Sequence, residues 1–347
     1  MTKPKNIVLT IDYELFLGRE TGDVASCMIA PTEKLETLLA MNNGRMTVFW
    51  DILHYYKLLE YQNSFPHLQE DIQAIEKQIL SLAKKGHDIQ LHLHPHWLDA
   101  VYNDHKWHFH YHRFKLQALS EADDKNDIDT IAGCIHISKS ILEDLIRKVD
   151  PAYNVTTFRA GGYLVQPFSK LKSALIANNI LTDTSVCPGL KSDNDIFSYD
   201  FTAYPERNNY NFSADPSLID DAGRFTEVPI TTINIPAHRN LYFTLLRYMK
   251  YRKSGTGLKG TGAWQTTDVA ARSFRSKVHS LSQPRITQFT TDSSFKELFF
   301  YMVNKTGENS TMILHPKLLN DHIIDYLTAL VRDKRIKFIS IKDRLSK

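Results

Sequence analysis

The sequence predicts an α/β fold built on a parallel barrel. Three observations carry that expectation. Short apolar runs of strand length alternate with longer segments of helical periodicity, the pattern of consecutive βαβ units. The 347 residues suffice for one large α/β barrel or two ordinary domains, and there are enough alternating units for a barrel. Residues able to do chemistry also recur just after the predicted strands, at the barrel end that carries active sites.

The elements follow in order. Residues 7–11 (IVLTI) read as a buried strand. Pro31-Thr32-Glu33 opens a helix over 31–40, which Asn42-Asn43-Gly44 ends. A strand is expected at 46–50, an amphipathic helix over 66–85 stopped by Gly86, and a third strand over 87–93. In 128–149, Ile128, Ile131, Ile135, Leu142, Leu145 and Val149 keep helical spacing. A strand at 155–158, a helix at 168–178 and a strand at 180–183 come next. Strands at 311–314 and 337–341 flank a helix over 318–331. Residues 97–127 form a long polar and aromatic insertion, which in a barrel belongs to the active-site loops. Residues 200–290 show little periodicity and read as a second insertion, with a strand near 226–230. The whole chain, 1–347, is therefore expected to form one barrel domain.

Composition narrows the function. Hydrophobic residues make up 42% and charged residues 23%, an ordinary globular balance. Lys and Arg number 42 against 39 Asp and Glu, so the net charge is +3, too weak to argue for a nucleic-acid partner. No apolar run reaches the length of a membrane span. The start is short, basic and polar and leads straight into the first strand, so no secretion signal is expected and the location is read as cytoplasmic. Cys27, Cys134 and Cys187 are widely spaced and form no CxxC, so three reduced thiols are expected. Histidine is locally crowded: 8 of the 15 lie between His87 and His112.

Four groups of residues carry the candidate chemistry. Asp12 and Glu14 end the first strand, two residues apart and so on one face, with Tyr13 opposite. Two neighbouring carboxylates repel unless a cation neutralises one of them; the alternative is a solvated strand end. His92, His94 and His96 follow the third strand, and three imidazoles in five residues suit a zinc-like ion. Pro95 rules out a continuous helix here, and spacing alone leaves His92 with His94, or His92 with His96, equally open. His105, His108, His110 and His112 in the insertion read as loop histidines. After the fourth strand, Arg159 can hold a carboxylate ionised, and Gly161-Gly162 lets backbone N–H groups approach a ligand. His315, after the late strand, can serve as a general acid or base.

These motifs, in this order, resemble the polysaccharide deacetylase superfamily, the NodB-homology fold. The likeness spans residues 10–316: Ile11-Asp12-Tyr13-Glu14, Gly86 to His96, Phe158-Arg159 and Leu314-His315. It implies a distorted (β/α)7-type barrel with long loop insertions. It implies one divalent metal ion, zinc before others, held by Glu14, His92 and His96, because the family's ligand histidines stand four residues apart. The spaced Asp-x-Glu pair resembles one branch of the superfamily, in which Asp12 is the base and Glu14 the ligand. Arg159 then keeps Asp12 ionised and His315 protonates the leaving amine. Gly161, Gly162, Tyr163 and Trp97 are the implied substrate contacts, with an oxyanion-binding N–H near Gly161. The family's Arg-x-Pro-aromatic motif is here Arg159-Ala160-Gly161-Gly162, with Tyr163 one place late. The acid that tunes the catalytic histidine is not placed; Asp183, Asp200 and Glu227 are the candidates.

The expected function is therefore a metal-dependent hydrolase. It would remove an acetyl group from a carbohydrate bearing an acetamido group, an intermediate of surface polysaccharide biosynthesis. The basic residues Lys250, Arg252, Lys253 and Lys259 read as a solvated loop or could meet a phosphate, and Trp97, Tyr102 and Trp107 could stack on sugar rings or serve as buried loop anchors. Two other readings stand beside it. One is a metal hydrolase of non-sugar amides with His92 and His94 as ligands. The other is a non-catalytic carbohydrate-binding protein on the same scaffold. Sugar identity, native metal and oligomeric state are left open by the sequence.

Overall fold

The first strand, β1 (Lys5–Tyr13), is buried along nearly its whole length, because it lies inside a sheet covered on both faces. The computed structural model describes residues 5–251, 259–262, 283–292 and 294–346. Within them, β1 is followed by α1 (Ala30–Ala40), β2 (Thr47–Asp51), α2 (Ile52–Tyr61), α3 (Leu68–Lys84) and β3 (Asp88–Leu93). A small antiparallel hairpin, β4 (Val101–Asn103) and β5 (Lys106–His108), precedes α4 (Ile131–Ile146). Next come β6 (Thr157–Ala160), α5 (Ser169–Ala177), β7 (Thr182–Asp183), β8 (Lys191–Ser192), β9 (Tyr199–Asp200), β10 (Tyr210–Phe212) and β11 (Phe225–Glu227). The described remainder is β12 (Thr232–Ile235), α6 (Ala237–Tyr251), β13 (Arg285–Gln288), α7 (Lys296–Lys305), β14 (Ser310–Leu314), α8 (Asp321–Arg332), β15 (Ile336–Ile339) and α9 (Ile341–Leu345).

The main sheet has nine strands, in the order β10-β11-β7-β6-β3-β2-β1-β14, with β15 also paired to β1. Every pairing in it is parallel except β10 with β11. The sheet curls into a distorted barrel of the α/β class. Between β7 and β14 the wall continues through single hydrogen bonds: Ile230 N to Val186 O, Thr231 N to Thr311 O, Phe289 N to Thr231 O and Ile313 N to Phe289 O. Because the chain enters these strands in one direction, the carboxyl ends of β1, β3, β6 and β14 open on the same side.

Local sequence accounts for the boundaries. Thr130 caps α4 by accepting from Gly133 N at 2.9 Å, so the helix begins three residues later than the apolar spacing alone suggests. Asn320 caps α8 by accepting from Ile323 N, after a short turn begun by Pro316. Helix α2 was not legible, because Ile52, Leu53, His54, Tyr55, Lys57 and Leu58 are all buried and the segment follows β2 directly, so the two merge into one apolar run. The 200–290 region is more than an insertion, since β10 and β11 extend the main sheet. Cys27, Cys134 and Cys187 are free and buried. Among the described residues, no helix is long and apolar enough to cross a membrane.

Candidate active site

Register assembles the site. His92 on β3 lies opposite Arg159 on β6, and β1 brings Asp12 beside them. Arg159 is fully buried and uses its whole fork. Nη1 donates to Asp12 Oδ1 at 2.5 Å, Nη2 to Thr10 Oγ1 and Thr184 Oγ1 at 2.9 Å, and Nε to Thr184 O at 3.1 Å. Its guanidinium also lies 4.1 Å from the Phe49 ring centroid. Burial alone would raise the Asp12 carboxyl; Arg159, helped by His92 and His315, outweighs burial and holds it below its ordinary value. One oxygen of Asp12 is thus occupied, and Oδ2 faces His92 Nε2 at 3.9 Å and His315 Nε2 at 3.5 Å.

Glu14 sits among cations. Its Oε1 accepts from Lys317 Nζ at 2.8 Å, while its Oε2 lies 2.8 Å from His94 Nε2 and 3.3 Å from His92 Nε2. Burial would raise this carboxyl, but Lys317 and His94 hold it well below the usual range. Lys317 also donates to Leu15 O at 2.7 Å, which fixes it over the acid.

The chemistry of these donors decides whether they suit a cation. His92 Nδ1 is 2.9 Å from Arg159 O, and a carbonyl can only accept, so Nδ1 carries hydrogen. In the neutral ring, Nε2 then offers a lone pair toward Glu14 Oε2. Both atoms are buried and without a hydrogen-bond partner. Two facing acceptors need a cation between them, either a proton or a metal. The neighbouring Asp12 and Glu14 charges overcome burial and push His92 up to about 9, which expresses the same demand. Glu14, His92 and His94 form the one group of ligand atoms among the described residues with metal-binding spacing. The residues fit a divalent ion.

This group differs from the expected Glu14, His92 and His96. Pro95 starts a short turn over Pro95–Asp99, which carries His96 away from β3. His96 is buried with its ring against Phe114 at 4.7 Å and Phe109 at 4.8 Å, and neither ring nitrogen has a hydrogen-bond partner. Burial, with His94 nearby, holds it neutral, well below its ordinary value. His94, the last residue before the turn, is the histidine whose Nε2 comes to Glu14 Oε2, at 2.8 Å. Gly161 makes room for it: a Cβ there would come 2.5 Å from Leu93 O and 2.6 Å from His94 Nδ1.

Trp97 is also corrected. It is fully buried, donates Nε1–H to Asp51 Oδ2 at 2.7 Å, and packs against His54, Trp107 and Phe109. Tyr102 and Trp107 are buried in the same cluster, so all three aromatic residues anchor the insertion. Gly162 and Tyr163 do line the pocket, in a turn with φ of +60° and +65°. The pocket is about 240 Å³, and its walls away from the acids are mainly aromatic and aliphatic, including Phe16, Phe114, Phe197 and Tyr199.

The acid that pairs with His315 in the structure is Asp292. Its Oδ2 lies 2.6 Å from His315 Nδ1, and its Oδ1 accepts from His315 N at 3.3 Å. Burial would lower His315; Asp292 outweighs burial and raises it. The three candidates lie elsewhere: Asp183 and Glu227 are register partners in the sheet, and Asp200 pairs with Lys191 at 2.8 Å. Asp292 follows β13, as the other site residues follow strands, but its segment lacks readable periodicity. Lys317 was also missed; its signal was its position just after His315-Pro316. Of the basic residues, Lys250 pairs with Glu297 at 3.0 Å and Lys259 is exposed, whereas Arg252 and Lys253 lie outside the described residues.

No family model and no curated protein matches the sequence. Similar solved structures include a chain provisionally named polysaccharide deacetylase from Mycobacterium smegmatis (12% identity, TM-score 0.45, 99% of this chain and 90% of that one). A 4-alpha-glucanotransferase from Thermococcus litoralis has 13% identity and a TM-score of 0.45, over 100% of this chain and 41% of that one. A family 4 carbohydrate esterase from Streptomyces lividans, in complex with acetate, has 10% identity and a TM-score of 0.37, over 97% and 93%.

Proposed function

We propose that this protein is a metal-dependent hydrolase that removes an acyl group, acetyl first, from an N-acylated sugar. The reading rests on one observation above others: the buried, unpartnered Nε2 of His92 faces the buried, unpartnered Oε2 of Glu14. The motif order, which resembles polysaccharide deacetylases, supplies the substrate class.

Glu14, His92 and His94 would hold the ion. When bound, it supplies Lewis-acid polarisation of the acyl carbonyl and lowers the pKa of water. The chain's own residues do the rest. Asp12, ionised by Arg159 and with Oδ2 free, accepts the proton of the attacking water. His315, held by Asp292 with Nδ1 protonated, presents Nε2 to the leaving amine and donates a proton there. Lys317 restrains the second oxygen of Glu14, so that Oε2 keeps its aim. Gly162 and Tyr163 shape the wall beside the reacting group.

A second reading, a metal-dependent amidohydrolase on a non-sugar amide, is favoured by two observations. His94 rather than His96 joins the ligand group, and the pocket walls are largely apolar. An acetate-release assay separates the two, run with N-acetylated sugars and with N-acetylated aromatic or aliphatic amines. Chelator-sensitive release from sugars supports the first reading. Release confined to the simple amides supports the second. No release from either, by protein shown to carry metal, overturns both.

A further inference from the structure

Asp12, Glu14 and Asp292, the acids of the site, are each matched by one basic group. Arg159 holds Asp12, Lys317 holds Glu14 at 2.8 Å, and His315 stands 2.6 Å from Asp292. A fourth acid, Asp51, is fully buried and matched by none of the described residues. Its Oδ2 accepts from the neutral indole N–H of Trp97, and its Oδ1 has no hydrogen-bond partner among them. A buried carboxylate in this state is costly unless a cation comes to it. Asp51 ends β2 opposite His92 in the register, so it lies at the barrel mouth with the ligand histidines. It is also the N-cap residue of α2, yet its side chain makes no capping hydrogen bond. An aspartate there ordinarily accepts from the first helix N–H groups. This one is held instead by Trp97, in the turn that follows His94. Burial raises its carboxyl to about 6, and His94, then His92, acts against that rise.

The ligand group has no negative charge to spare. Glu14 is offset by Lys317, so with neutral imidazoles the charges of Glu14, His92, His94 and Lys317 cancel. Asp12 is offset by Arg159 in the same way. A divalent ion would add two positive charges to this buried place and become its largest local charge. Of the four acids, Asp51 is the one whose charge is not already offset. A cation beside it would also remove the cost of burying it, so each makes the other cheaper to bury.

We propose that Asp51 is the buried counter-charge of the ion site. It is a positioning residue: it acts through the ligand group and strengthens the hold of Glu14, His92 and His94 on a divalent cation. The proposal rests on the metal-dependent reading of that group. The test uses the full chain as wild type, Asp51→Asn and Asp51→Glu. Zinc affinity is measured by competition with a chelating dye, and the stability of each metal-free protein by urea unfolding. Asp51→Asn keeps the shape and removes the charge, so zinc should bind about 10–100-fold more weakly. Its metal-free form should unfold at a urea midpoint no lower than that of the metal-free wild type, because a neutral amide replaces an unpaired buried charge. Asp51→Glu keeps the charge and changes the shape, and should bind zinc more tightly than Asp51→Asn. Unchanged zinc affinity in Asp51→Asn would overturn the proposal. So would an affinity loss accompanied by a lower urea midpoint, or by failure to fold, in the metal-free variant, which would make Asp51 only an anchor for Trp97. Weaker binding by Asp51→Glu than by Asp51→Asn would overturn it as well. A wild type that binds no zinc would instead sink the metal-dependent reading, and this proposal with it.

Discussion

Arg159 and Asp12, which are 147 positions apart in the chain, are joined by a 2.5 Å hydrogen bond inside the barrel, with Arg159 fully buried. That pair fixes which oxygen of Asp12 is free, and hence which group can take a proton.

Replacing Arg159 by Met should therefore damage both stability and activity. Asp12 would be left buried without its counter-cation, and loss of one partner of a buried pair costs about 3–5 kcal/mol. Urea unfolding should show that loss, and kcat/KM should fall by about a hundredfold or more. Arg159→Lys keeps the charge but cannot reach Thr10, Thr184 and Asp12 together, so an intermediate loss is expected. Wild-type stability in the Met variant would refute the pairing.

Asp292 Oδ2 lies 2.6 Å from His315 Nδ1, and the proposed mechanism has it act through that histidine. In Asp292→Asn the neutral amide holds the imidazole less firmly and no longer supports its protonated form. The expected result is a fall in kcat of about 10–100-fold with KM within about twofold, because only the proton-transfer step is touched. An equal rise in KM without loss of kcat would assign Asp292 to substrate binding instead.

Gly161 has a steric role at the ligand group. In Gly161→Ala the new methyl would press on Leu93 O and on the His94 ring, which must move. Metal affinity should drop about 10–100-fold by competition with a chelating dye. Unchanged affinity would show that His94 is not a ligand.

Glu227 offers a pH test away from the site. Burial and the adjacent Asp183 raise its carboxyl well above the ordinary 4.5. The folded protein then keeps a proton that the unfolded chain releases above about 4.5, so this contribution to stability is complete below that pH and shrinks as pH rises. Its slope is at most about 1.4 kcal/mol per pH unit. Glu227→Gln should remove the slope, so the variant gains on the wild type as urea unfolding is repeated from pH 5 to pH 8. A difference independent of pH would contradict the assignment.

The alternation of strands and helices was legible because parallel strands buried on both faces leave unbroken apolar runs, as in β1 and β14. Asp12, Glu14, His92, Arg159 and His315 were legible because each ends or follows a strand. That His94 and not His96 groups with Glu14 and His92 was not, since both spacings suit a metal and only the turn begun by Pro95 separates them. Asp292 and Lys317 escaped for a different reason. Their roles come from tertiary contacts across the barrel mouth, which leave no local pattern. Trp97 misled because an aromatic residue beside a site is equally suited to stacking on a ligand and to anchoring a loop, and the hydrogen bond to Asp51 decides the matter.

The most direct test is the metal content of the wild type and of the His92→Ala, His94→Ala and His96→Ala variants, by elemental analysis after reconstitution with zinc. Ligand atoms of Glu14, His92 and His94 lie within 4.8 Å of one another and could hold the ion. The account predicts about one equivalent of zinc in the wild type and in His96→Ala, and loss of it in His92→Ala and His94→Ala. Metal retained by His94→Ala but lost from His96→Ala, or a wild type that binds none, would contradict it.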